Sequence, residues 1–456
     1  MHRSALALSA AAALTLLSPV ARAADPGGPP AGEPAKAPKL VTRVVPPEAQ
    51  AQPLDVEKAT RAYLALLSGP ERARSDAYFE GGYWLSLWGF LYGLGLQLLL
   101  LATGLSSRMR ALAERITGWR WLQPALYWLQ YLVAATVIGF PLDVYQGFFR
   151  EHQYGLSNLS FGGWLGEQGK GFLVGAVLGA LGLMALYAVL RRATRTWWIW
   201  GAAVGVAFAT FAVVIGPVFL EPVFNKFRPL PDGGIRDRIL SLARANGIPA
   251  TDVWEYNASK QSDRVSAHVS GFLGTQRISL NDNLLRRADL PQVEAVMAHE
   301  MGHYVLNHVF KFILFFALFL PLTFACAQWA FGRIAARWGA RWGVRGVEDP
   351  AAWPVLLGLI STVMFLATPL LNTVTRTQEQ EADVFGINAA QQPDAFAQVA
   401  LALSEYRKLD PGPLEEIFFY DHPSGRVRIQ TAMKWKAEHL QPLRCGPPGP
   451  SAAPPP

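Results

Sequence analysis

Charge is what this chain has least of. Aspartate, glutamate, lysine and arginine make up 16% of its 456 residues and apolar residues 51%, where soluble domains usually carry about 25% charge. That balance argues against two or three soluble domains and for one sizeable membrane domain. Cysteine is almost missing: Cys326 lies inside an apolar run and Cys445 in a proline-rich tail, which excludes a disulfide framework and leaves the compartment open. The positive excess is also small. A net charge of +7, mostly arginine beside apolar segments, reads as membrane topology and not as a nucleic-acid surface. There is no internal repeat of useful strength.

What the chain does have is long uncharged runs. A bilayer crossing needs about 20 apolar residues, and six stretches qualify: between Glu80 and Arg108, Arg120 and Asp143, Lys170 and Arg191, Arg195 and Glu221, Lys311 and Arg333, and Asp349 and Arg376. None has the polar face of a buried soluble helix. The connections carrying Arg108, Arg110, Arg115 and Arg120, then Arg191, Arg192 and Arg195, then Arg333, Arg337, Arg341 and Arg345 fall on one side if all six span. Short arginine-rich loops mark the cytoplasm. Arg3, an uncharged stretch to Val20 and Ala21-Arg22-Ala23 form a signal-peptide pattern, which independently starts the chain on the outer side. Residues from Asp25 to about Pro53 and from Pro447 to Pro456 are rich in proline and alanine and read as disordered extensions.

Between the fourth and fifth runs lies a segment of mixed polarity, Pro222 to His308, which predicts a small folded domain. Helical spacing covers Asp232 to Asn246. Strands are predicted at Val253–Asn257, Arg264–Phe272 and Gln276–Leu280, and a helix starts near Asp289 and Pro291. That helix holds His299-Glu300-Met301-Gly302-His303. Residues i and i+4 share a helix face, so both imidazoles can reach one ion. Zinc accepts imidazole nitrogen and, in catalytic sites, keeps a position open for water. Glu300 can then lie beside that water and take its proton.

A third ligand is sought after the sixth run, where Glu379 and Asp383 are again i and i+4. One can bind metal while the other orients an imidazole. Glu381 points about 200° away from Glu379 and is the weaker candidate. Two crossings separate His303 from Glu379, so all three ligands fall on one face of the membrane. His303 is nine residues before Phe312; a continuous helix would put it about 14 Å from that residue, near the headgroups.

With these motifs the chain resembles the type I CAAX prenyl endopeptidases, integral-membrane zinc peptidases. The match runs from about Tyr83 to Ile429. It includes Tyr154-Gly155-Leu156-Ser157-Asn158, Glu221-Pro222-Val223-Phe224-Asn225-Lys226-Phe227, the His-Glu-x-x-His helix, Arg376-x-x-Glu379-x-x-Ala382-Asp383, and Asp421-His422-Pro423 with Arg428. The resemblance implies that His299, His303 and Glu379 bind zinc, that Glu300 is the base and that Asp383 supports the ligands. It implies that His422 donates to the oxyanion or substrate carbonyl, and that Arg428 holds the substrate backbone. Two features depart from the family. Ser266-Ala267 stands where the substrate-aligning strand usually has Asn-Ala, and the first of seven spans is replaced by the signal peptide. His268 and His308 have no matching role and read as structural.

The resulting expectation is a mainly α-helical, multi-pass membrane protein with a small α+β zinc metallopeptidase domain. Its divisions are a signal peptide (1–23), an N-terminal extension and linker (24–80) and four transmembrane helices (81–221). A catalytic domain (222–308), two more transmembrane helices (309–375), the third-ligand helix with the C-terminal part of the catalytic domain (376–440) and a proline-rich tail (441–456) complete it. The expected activity is hydrolysis of peptide bonds in membrane-associated or lipid-anchored proteins with one Zn2+ per chain. The partners expected are the lipid bilayer and a membrane-bound peptide or protein, with no nucleic acid. The expected location is a bacterial inner membrane, with the catalytic face toward the periplasm. The alternatives are a non-catalytic chaperone or scaffold of the same fold, and a general peptidase acting on soluble peptides.

Overall fold

The structure, a computed structural model, describes residues 43–440 other than residue 68 and residues 271–275, and the side chains of 213–215, 217 and 218 lie outside the description. The expected signal peptide and the proline-rich tail lie outside the described residues.

The chain enters through two short helices, α1 (Pro47–Gln50) and α2 (Val56–Leu64). The disorder expected up to about Pro53 is corrected from residue 43 onward. Ala49, Ala59 and Tyr63 are fully buried among Phe396, Leu401, Ile429 and Met433 near the C-terminus, and the Tyr63 hydroxyl donates to Asp394 at 2.8 Å. Alanine-rich sequence reads as polar extension, yet small apolar side chains pack closely once a partner surface is supplied. The first long helix begins at Gly69, inside the segment expected as linker up to residue 80.

A membrane bundle follows: α3 (Gly69–Ala102), the amphipathic α4 (Leu105–Ile116), α5 (Gln123–Val144, continued by a π-helical turn over Tyr145–Arg150), α6 (Phe161–Arg192) and α7 (Trp197–Ile215). Buried tyrosines and tryptophans, among them Tyr127, Tyr131, Tyr187 and Trp197, fill its centre. The hydroxyls of Tyr127, Tyr131 and Tyr187 are satisfied, as where Gln97 donates to the Tyr131 hydroxyl at 2.9 Å. The segment of mixed polarity then contributes β1 (Phe227–Pro229), α8 (Gly234–Ala245), β2 (Val253–Tyr256), β3 (Ala267–Ser270) and β4 (Arg277–Asn281). The sheet order is β1-β2-β4-β3, antiparallel except for the parallel β2–β4 pair. The three expected strands are present, and β1 is an addition.

Next come α9 (Leu290–Val305), α10 (His308–Ile334), α11 (Trp353–Leu366), α12 (Thr368–Ala390), α13 (Pro393–Ala402), α14 (Pro413–Phe419) and α15 (Gly425–His439). Of the six expected spans, α3, α5, α6 and α10 are long and apolar enough to cross a membrane. The fourth has a shorter apolar helix, Trp197–Ala212, and the sixth is bent by 56° between Leu366 and Thr368. Pro369, in the first turn of α12, lacks the N–H that would continue the ladder, and proline is a common cause of such kinks. The chain is a multi-pass integral membrane protein.

The arginine-rich connections meet at one end of the bundle. Arg110 donates to the Gly343 carbonyl at 2.8 Å and pairs with Asp349 at 2.6 Å. Arg345 pairs with Glu114 at 2.7 Å, and Arg191 donates to the Arg120 carbonyl.

Candidate metal centre

Helix α9 is fixed before its histidines are considered. Asp289 caps it in a reciprocal capping box with Gln292, and Pro291 occupies the first turn, where its missing N–H costs nothing. Val293, Met297 and Met301 form an i, i+4, i+8 stripe, fully buried against Ile278, Leu280 and Ile239. Burying such a side chain contributes about 1.5–3 kcal/mol. The stripe locks the rotation of α9, and with it the direction of His299 and His303.

The opposite side of α9 meets α12 at very close range. A Cβ on Gly386 would lie 2.8 Å from the His299 backbone nitrogen, and one on Gly302 would lie 3.2 Å from the Ala382 Cα. These glycines let the two backbones approach until Glu379 reaches the histidines. His299 Nε2 stands 3.2 Å from Glu379 Oε2, His303 Nε2 stands 3.6 Å from Glu379 Oε1, and the two imidazole Nε2 atoms are 3.2 Å apart. The donor atoms of all three residues lie within 4.8 Å of one another.

Each imidazole is also held from behind. Asp383, fully buried, places Oδ1 2.7 Å from His299 Nδ1. Arg428 in turn clamps Asp383 through Nε (2.9 Å) and Nη2. On the other side His303 Nδ1 meets His308 Nδ1 at 2.8 Å, His308 Nε2 meets Glu381 at 3.0 Å, and Lys311 pairs with Glu381 at 2.5 Å. His422 completes the surround, with Nε2 3.3 Å from Glu379 Oε2 and Nδ1 2.8 Å from Asp421. Glu300 is buried on α9 beside this group.

Charge in the site is uneven. Burial opposes protonation of His299, but Asp383 and Glu379 outweigh it and lift its pKa to about 9. Burial also opposes the Arg428 cation, while Asp383, Glu379 and Glu300 favour it and raise its pKa overall. Glu379 Oε2 is buried with no hydrogen bond, although two imidazole nitrogens stand close by. Two imidazole nitrogens and a carboxylate facing one another, one oxygen unsatisfied, make a donor set that a single divalent cation would complete. The residues present fit a metal ion.

One expectation changes. Asn307 adopts a left-handed conformation (φ 56°), so α9 and α10 are separate helices and the continuous helix from His303 to Phe312 is corrected. The break turns His308 back toward His303, a contact that helical spacing does not reveal. Arg428, expected at the substrate backbone, is buried and donates from Nε to Asp383 at 2.9 Å. Ala267 packs into the core beneath the sheet, and Ser266 accepts from the Asn281 N–H at 2.9 Å. The alternation of an antiparallel ladder then turns the backbone groups of Ala267 and Val269 toward the other edge of β3, where no described strand pairs. His268 stands 3.4 Å from Glu221, away from the metal-binding group.

Residues 62–226 match the family model described as CAAX prenyl protease N-terminal, five membrane helices, and residues 229–436 match peptidase family M48. The chain is 31% identical over 353 residues to the uncharacterized metalloprotease YhfN of Bacillus subtilis, covering 76% of this chain and 83% of that one. It is 26% identical over 323 residues to CAAX prenyl protease 1 of Saccharomyces cerevisiae, covering 67% and 70% of the two chains. In fold it is similar to the crystal structure of S. mikatae Ste24p, with a TM-score of 0.60 at 21% identity over 86% of this chain and 92% of that one. Site geometry and family matches lead to one conclusion: the chain belongs to peptidase family M48, as a membrane metalloprotease of the CAAX prenyl protease type.

Proposed function

We propose that the protein is a zinc endopeptidase that cuts membrane-associated proteins close to the bilayer, with one zinc per chain and its catalytic face toward the periplasm of a bacterial inner membrane. One observation carries this reading: the ligand group of His299, His303 and Glu379 is assembled by helices that lead into membrane-crossing segments. His299, His303 and Glu379 hold the metal, which when bound polarises the scissile carbonyl and acidifies water.

The remaining work falls to the chain's own residues. Glu300 takes a proton from the water that adds to the carbonyl carbon, then passes it to the leaving nitrogen as the C–N bond breaks. His422, oriented by Asp421 at 2.8 Å, donates to the oxyanion as charge develops there. Asp383 keeps the His299 proton on Nδ1 and leaves Nε2 for the metal. The open edge of β3, where Ala267 and Val269 present their backbone groups beside Ser266, pairs with an extended substrate by strand addition.

The outward orientation is supported by the arginine-rich connections gathered at one end of the bundle and by the signal-peptide pattern before residue 24. A membrane-bound substrate gains effective concentration and arrives at the depth of the site. The test uses one peptide sequence with and without an acyl group, assayed with the enzyme in liposomes. The acylated form is cut faster; equal rates would remove the preference for membrane-bound substrates and leave a general peptidase.

A further inference from the structure

Helix α14 is built inside out for a helix in water. Leu414, Ile417 and Phe418, at i, i+3 and i+4, point outward, with Leu414 71% and Phe418 49% exposed. Its polar residues are turned inward instead. Glu415 accepts from the Tyr83 hydroxyl at 2.6 Å, from Lys408 at 2.9 Å and from the Gly412 N–H at 3.1 Å. Glu416 accepts from the Ser424 N–H at 3.0 Å. An amphipathic helix at a water-facing surface shows the reverse arrangement, and a contiguous exposed apolar face marks an interaction surface.

The position of α14 identifies what covers that face. Phe419 stacks on Tyr83 with ring centroids 3.9 Å apart, and Tyr83 lies on α3, one of the helices long and apolar enough to cross a membrane. The next residue of α3, Trp84, is 64% exposed. On the other side Asn372 of α12 donates to the Phe418 carbonyl at 2.7 Å, and Leu370, two residues earlier, is exposed as well. The apolar face of α14 therefore continues the lipid-facing surface of two helices that enter the bilayer. Tryptophan and tyrosine at that level suit the headgroup region.

We infer that the Leu414–Ile417–Phe418 face lies in the outer part of the bilayer, making α14 an interfacial arm beside the metal centre. The chain passes from Phe419 through Tyr420 straight to Asp421-His422-Pro423. Arg376 ties the middle and the C-terminal end of the arm to α12, donating to the Glu416 and Tyr420 carbonyls at 2.8 and 2.6 Å. Lipid contact at Phe418 thus sets the height of His422 and Glu379 relative to the membrane surface.

The test needs no catalysis, so its failure is distinguishable from failure of the peptidase reading. Full-length protein with Cys326→Ser and Cys445→Ser is reconstituted in vesicles of phosphatidylethanolamine and phosphatidylglycerol. Nitroxide labels are placed one at a time at Leu414→Cys and Phe418→Cys, with Leu98→Cys on α3 as the lipid reference and Lys58→Cys on α2 as the water reference. The arm predicts labels at both positions relaxed by oxygen and shielded from a nickel chelate, as at Leu98→Cys. Labels reached by the nickel chelate as readily as at Lys58→Cys would overturn the inference. Shielding from both reagents would also overturn it, because a second copy or a protein partner would then cover the face.

Discussion

His299 and His303 are held by different kinds of support. Behind His299 stands a fully buried chain, Asp383 and Arg428, in which a carboxylate and a guanidinium satisfy each other away from water. Behind His303 stands a second imidazole, His308, and then Glu381, which is 43% exposed and shares its charge with Lys311. The first support is part of the core that joins α12 to α15. The second sits at a helix break and opens to the surface. A buried charge pair that loses one member leaves the other unpaired at a cost of about 3–5 kcal/mol, while a solvent-exposed pair is worth about 0–1 kcal/mol. The His299 side therefore decides whether the site forms, and the His303 side adjusts a site already formed.

Substitutions on the two sides give effects of different size and kind. Asp383→Ala has the largest, because it leaves the Arg428 cation buried and frees His299 to turn. Thermal or denaturant unfolding should show a loss of about 3–5 kcal/mol, and metal affinity should fall about 10–100-fold. Gly386→Ala comes next, since its Cβ would meet the His299 backbone nitrogen at 2.8 Å. Overpacking of this kind costs about 1–3 kcal/mol, and the separation of α12 from α9 lowers metal occupancy in the folded protein. His308→Ala is milder, with metal affinity reduced about 10-fold and unfolding little changed, and Glu381→Gln should be milder still. Equal loss of stability in His308→Ala and Asp383→Ala would erase the asymmetry.

The same contrast explains what could be read from the sequence. His299, Glu300 and His303 are three positions on one helix, and helical periodicity alone brings the imidazoles together. Glu379 is located by counting crossings between it and α9, which does not depend on the details of packing. Asp383 follows at i+4. The His308–Glu381 contact is not legible in this way. It depends on the left-handed Asn307, a conformation available to asparagine but not signalled by it. Arg428 is 45 residues from Asp383 in sequence, and no local pattern shows that it spends its donors there. The docking of α1 and α2 onto α13 and α15 was hidden by composition, because alanine and proline look the same in a disordered tail and in a close-packed contact. The sixth span reads as one uncharged run although Pro369 lies inside it. Its bend sets α12 at the angle from which Glu379 meets α9.

In the proposed mechanism His299, His303 and Glu379 hold one metal ion while Glu300 handles the proton. Purified Glu300→Gln and Glu379→Ala proteins, folded to the same extent as the parent, separate these roles when bound zinc and peptide cleavage are measured on the same samples. Glu300→Gln should keep about one zinc per chain and lose cleavage, since it removes a base and not a ligand. Glu379→Ala loses both cleavage and most of the zinc. Appreciable cleavage by Glu300→Gln, or full zinc content in Glu379→Ala, would overturn this division of roles.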